Sequence, residues 1–119
     1  MIVAVLGASP KPDRYANKAI KMLLAHNHTV IPVAPNYETI EGIDVIASLD
    51  EIKNPVDTLT VYVGPQNIAP HIAQIIQLKP KRVILNPGTE SVELEAELKK
   101  HSIDFLKACT LVLLSTGQF

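Results

Sequence analysis

Cysteine is almost absent from this chain: Cys109 stands alone among 119 residues. A single thiol excludes an internal disulfide and fits a reducing compartment. An excess of either charge is also missing. Eleven basic residues against twelve acidic ones leave a net charge of −1, so non-specific nucleic-acid binding is not favoured. No apolar run approaches the roughly 18 residues that a membrane span needs. Residues 1–6 are apolar but lack the basic lead-in and small-residue cleavage site of a secretion signal, and they read as a strand. The expectation is a cytoplasmic protein with no membrane or nucleic-acid partner. Metal-ligand spacing is lacking as well. His26, His28, His71 and His101 have no second ligand at a workable interval, and they read as surface residues. Glu90, Glu93, Glu95 and Glu97 read as a solvated helix face.

What is present is an apolar share of 47%, enough for a core and too much for disorder. One domain over residues 1–119 is expected. Strand-like and helix-like stretches alternate. Strands are expected at Ile2–Leu6, Thr29–Val33, Thr58–Val63, Arg82–Leu85 and Asp104–Leu106, with a short sixth at Leu111–Leu114. Helices are expected over Ala16–His26, Asn67–Leu78 and Ser91–Lys100. Asn67 is expected to cap the second, and Ile68, Ile72, Ile75 and Ile76 to form its buried stripe. Residues 34–54 read as a long connection with one helical turn capped by Ser48. Pro32 is awkward for a central strand unless its missing N–H falls at the strand end. The pattern implies an α/β fold of three layers, a Rossmann-like doubly wound sheet of about five parallel strands. Such sheets bind ligands beyond the strand C-termini, where strand order reverses. That rule gathers residues 7–15, 33–37, 62–68 and 86–90 into one crevice.

The first of these loops carries the most chemistry. Gly7 permits a tight turn, Ser9 offers a hydroxyl, and Lys11 and Arg14 offer two cations ahead of a helix. Anion binding and a plain solvated connection are both open from the residues alone. The dinucleotide fingerprint would need glycines at positions 9 and 12, where the chain has Ser9 and Pro12. The end of the second strand reads Val33-Ala34-Pro35-Asn36, without the acidic residue of a nicotinamide site. A Walker-type Gly-Lys-Ser/Thr is missing too. Tyr62 either borders a ligand or packs at the sheet edge. Asn86 either bonds a ligand amide or serves its own Asn-Pro-Gly turn. Cys109 reads as a packed or ligand-facing thiol, and as a nucleophile only with a base that the sequence does not place.

Val3-Ala4-Val5-Leu6-Gly7-Ala8-Ser9-Pro10-Lys11-Pro12-Asp13-Arg14, Val30-Ile31-Pro32-Val33-Ala34-Pro35-Asn36 and Ser48-Leu49-Asp50-Glu51-Ile52 together resemble the small stand-alone CoA-binding proteins. Their fold is similar to the CoA-binding domain of the succinyl-CoA synthetase α subunit. The resemblance implies that Gly7, Ser9, Lys11 and Arg14 meet the CoA phosphates, with Ala8 and Tyr15 also among the cofactor-binding residues. It implies that Val33, Pro35 and Asn36 border the adenosine, that Tyr62, Val63, Pro65 and Ile68 line the next stretch, and that Asn86 and Gly88 lie near the pantetheine arm. Cys109 falls where the family often carries a cysteine. The chain has Leu85-Asn86-Pro87-Gly88 where many members have an aromatic-x-Gln-x-Gly motif, and Ala108 where a basic residue is common. No residue matches the synthetase's phosphohistidine, so ligase activity is not implied. The expectation is a non-catalytic binder of CoA or acyl-CoA, serving as carrier, sensor or regulatory module, with a protein partner open. An NAD(P)-dependent oxidoreductase or transferase subunit is the alternative, and a scaffold with a decayed site the second.

Overall fold

Alternate residues of the first apolar run serve two different cores. A computed structural model describes all 119 residues, and in it Ile2–Leu6 forms β1. Ala4 and Leu6 point into one apolar cluster, Val3 and Val5 into another. That is the period-two geometry of a strand buried on both faces. After β1 come α1 (Tyr15–Ala25), β2 (Thr29–Val33), β3 (Thr39–Ile40) and β4 (Ile43–Asp44). A single 3-10 turn at Leu49–Glu51 leads to β5 (Thr58–Val61), α2 (Ala69–Leu78) and β6 (Arg82–Leu85). The chain closes with α3 (Val92–Lys100), β7 (Asp104–Lys107) and α4 (Thr110–Ser115).

Five strands form one all-parallel sheet in the order β2-β1-β5-β6-β7. The helices α2 and α3 and the 3-10 turn cover one face through Ile72, Ile75, Leu94, Leu98 and Leu49. The helix α1 covers the other through Ala16, Ile20 and Leu23, with Leu114 of α4 beside it. The three-layer, Rossmann-like α/β architecture is thus present. Connections from β1 run outward to β2 and then return to β5 on its other side. The ends of β1 and β5 therefore diverge and leave a crevice.

Four expectations are corrected. Leu111–Leu114 is not a strand but lies in α4. The isolated apolar run has no period of its own, and tertiary contacts decide it. Asn67 does not cap α2, which starts at Ala69 with Ile68 at its cap position and no side-chain cap bond. Ser48 does not cap the 3-10 turn through a backbone N–H; its hydroxyl bonds the Asp50 and Glu51 carboxylates instead. The connection 34–54 holds an unforeseen two-residue hairpin, β3–β4, turning at Glu41 and Gly42 with φ of 51° and 77°. Pro32 sits in β2 at the sheet edge. Its carbonyl accepts from Ile46 N–H at 2.9 Å, so its missing N–H faces the outer side, away from β1. Ile76 and Val63 are partly buried at the margin of the core.

Candidate functional site

Gly7 stands at the switch point, immediately after β1. Its φ is +88°, and a Cβ there would lie 3.1 Å from the carbonyl carbon and oxygen of Tyr62 and from Val63 Cγ2. Only glycine permits this approach without strain. The turn is held by two backbone bonds: Gly7 and Ala8 N–H both donate to Val33 O, at 3.1 and 3.2 Å. Those two N–H groups are therefore spent on the neighbouring strand. Ser9 Oγ accepts from Lys11 N–H at 3.2 Å. Buried Asn17 ties the loop down by donating to Ser9 O at 3.0 Å and to Glu41 Oε2 at 3.2 Å.

The loop ends at the N-terminus of α1. Arg14 occupies the cap position without a side-chain cap bond, and no acidic residue lies in the first turn. The N–H groups of Tyr15 and Ala16 find no acceptor in the chain. By contrast α3 is capped by Ser91, which accepts from Leu94 N–H, and carries Glu93 and Glu95 in its first turn. Lys11 and Arg14 are exposed and in no ion pair, since the three ion pairs of the chain are Lys81–Asp57, His101–Glu97 and Lys107–Glu95. An open helix N-terminus beside two unpaired cations is an electropositive, anion-ready arrangement.

These groups line a cavity of about 340 Å³. Gly7, Ser9, Lys11, Arg14, Tyr15 and Ala16 form one wall; Tyr37, Tyr62, Gly64, Pro87, Gly88 and Thr89 form the rest. The chain has three tyrosines, and all three are here. A second cavity of about 230 Å³ adjoins it, lined by Tyr15, Tyr62, Asn86, Pro87, Cys109 and Leu111. The Tyr62 hydroxyl is closed off from solvent. It lies beside the Thr60 and Thr110 hydroxyls without hydrogen-bond geometry to either, and burial pushes its pKa up to about 12.

Of the residues singled out from sequence, Gly7, Ser9, Lys11, Arg14, Tyr15, Tyr62 and Gly88 meet around the first cavity, and Asn86 and Cys109 around the second. Others lie elsewhere. Ile68, expected to border a ligand, is fully buried in the core with Val33, and Ala8 is buried in the opposite core. Pro35, Asn36 and Pro65 are exposed and Val63 half-buried, none of them on either cavity. Asn86 spends its amide inside the protein. Its Nδ2 donates to Thr60 Oγ1 at 2.7 Å and Val61 O at 2.9 Å, and its Oδ1 accepts from Thr110 N–H at 2.9 Å, which caps α4. Sequence reasoning placed Tyr37, Gly64, Pro87 and Thr89 in the crevice only as members of its loops, and missed Ala16 and Leu111. Thr89 is fixed by donating to Asn86 O at 2.7 Å, a bond that the Asn-Pro-Gly-Thr turn could have signalled.

An α/β sheet with a cationic crevice at its switch point has the geometry that suits a phosphate-bearing ligand. Residues 2–115 match the model of the CoA binding domain, and the chain belongs to that family. It is 33% identical over 60 residues to the uncharacterized protein YneT of Bacillus subtilis, an overlap of 50% of this chain and 44% of that one. It is 29% identical over 106 residues to the ADP-forming acetate–CoA ligase I of Archaeoglobus fulgidus, across 87% of this chain and 15% of the ligase. The chain thus spans less than half the length of these curated relatives. A crystal structure of an uncharacterized protein superposes with a TM-score of 0.93 at 42% identity, covering 99% of this chain and 97% of that one.

Proposed function

We propose that the crevice binds CoA, free or acylated, and that the domain performs no chemistry on it. The observation that carries this reading is the uncapped start of α1 beside unpaired Lys11 and Arg14, in a chain of the CoA-binding family. The diphosphate lies at that helix end, where Arg14 grips it with two N–H groups and Lys11 adds a mobile charge. The adenosine runs past Tyr37, whose ring offers a stacking face. The pantetheine arm runs along Tyr62, Gly64 and Pro87. Neither cavity is lined by His, Asp or Glu, so no general base stands beside Cys109, which supports a carrier, sensor or regulatory role.

Calorimetric titration with CoA tests the reading. Saturable heat is expected with CoA and none with NADH. No heat with CoA at millimolar concentration would remove the proposal.

A further inference from the structure

The crevice has two chambers of opposite character. The first holds Lys11 and Arg14. The second, of about 230 Å³, has none of Lys, Arg, Asp, Glu or His among its six lining residues. The two share Tyr15, Tyr62 and Pro87, so a ligand anchored at α1 can continue from one into the other. Two of the polar side chains of the second chamber are not available for recognition. The Asn86 amide is bonded to Thr60, Val61 and Thr110, and the Tyr62 hydroxyl is sealed from solvent. What remains is the ring faces of two tyrosines, the hydroxyl of exposed Tyr15, a proline ring, a leucine side chain and a thiol.

We propose that this second chamber is an acyl subsite, which takes the short, uncharged acyl group of a CoA thioester and rejects one that ends in a carboxylate. The inference rests on the CoA reading above. At about 30 Å³ per water-sized group, the chamber has room for roughly seven heavy atoms. That accommodates a thioester and a chain of three to five carbons. Each methylene buried is worth about a fourfold gain in affinity. A terminal carboxylate would lose its hydration with no cation among the six lining residues to replace it.

Calorimetry with CoA and its acetyl, butyryl, octanoyl and succinyl thioesters tests this. Affinity should rise about fifteenfold from acetyl to butyryl and stop rising by octanoyl. Succinyl-CoA should bind at least tenfold more weakly than butyryl-CoA. In Leu111→Phe, which fills the chamber, the butyryl-to-acetyl ratio should fall toward one; Leu111→Ala should move the length limit to longer chains. Thermal melting confirms that each variant is folded. Binding of CoA with a flat acyl series, or succinyl-CoA equal to butyryl-CoA, would overturn this inference alone and leave the chamber to the pantetheine arm. No binding of any of the five would overturn the CoA reading and this one together.

Discussion

Replacing Lys11 and Arg14 together by alanine separates binding from folding. Both side chains are exposed, and neither contributes an ion pair to the fold. Surface substitutions of this kind change stability by no more than about 0.5 kcal/mol, which is about 2 °C in a domain of this size. Toward a diphosphate the same two groups each make charge-assisted bonds worth roughly 1.5–3 kcal/mol. Their joint loss is then about 3–6 kcal/mol, or two to four orders of magnitude in Kd. The chain has no tryptophan and three tyrosines, all lining the crevice. Tyrosine emission therefore reports the site directly, and the titration can be read on the same sample used for melting. Binding to the wild type should also weaken with salt, and the variant's residual binding should not. A double variant that melts like the wild type and binds CoA within fivefold of it would rule out an anchoring role for these two cations. So would a variant that unfolds, because these side chains would then be part of the fold.

Three further outcomes follow from the geometry. Gly7→Ala combines a left-handed φ with a Cβ at 3.1 Å from the Tyr62 backbone, and should cost about 2–4 kcal/mol. Gly88→Ala, with φ of +87° and open space around its Cβ, should cost only about 1–2 kcal/mol; denaturant midpoints decide whether the order holds. Asn86→Ala removes three buried bonds and the cap of α4, and should lower stability by roughly 2–4 kcal/mol with loss of helical circular dichroism. Tyr62→Phe deletes an unpartnered buried hydroxyl, so melting should show it neutral or slightly stabilised. It should also remove a phenolate absorbance step near pH 12. Because folding raises this pKa from 10.0 to about 12, the neutral form's contribution to stability is intact below pH 10. It is lost as pH climbs through about 12.

What was legible in the sequence was whatever adjacent residues decide. The sheet strands are short apolar runs between turn residues, and all five occupy their expected places within two residues. The first loop was legible because Gly7, Lys11 and Arg14 follow one another along the chain. Long-range contacts hid the rest. Leu111–Leu114 is apolar throughout and carries no period; α4 is held by long-range contacts, Asn86, 24 residues before Thr110, receiving the Thr110 N–H and Leu114 packing into the core. The β3–β4 hairpin has two residues per strand, too few for alternation to register. Ile68 looked like a loop residue over a ligand, yet it sinks fully into the core beneath α2. Tyr37 lines the crevice while its neighbours Pro35 and Asn36 do not, a difference set by how the chain turns out of β2. Asn86 was expected either to bond a ligand or to serve its own turn; its side chain instead ties Thr60 and Val61 to Thr110, while its main-chain carbonyl holds the turn by accepting from Thr89.

Under the proposed function, the crevice between β1 and β5 holds CoA by its diphosphate at the start of α1. A crystal structure of the protein grown with CoA tests this most directly. Diphosphate density is expected within hydrogen-bond distance of the Tyr15 and Ala16 N–H groups, flanked by Lys11 and Arg14, with the pantetheine arm passing Tyr62. Well-ordered CoA at any other surface, with this crevice filled only by solvent, would contradict it.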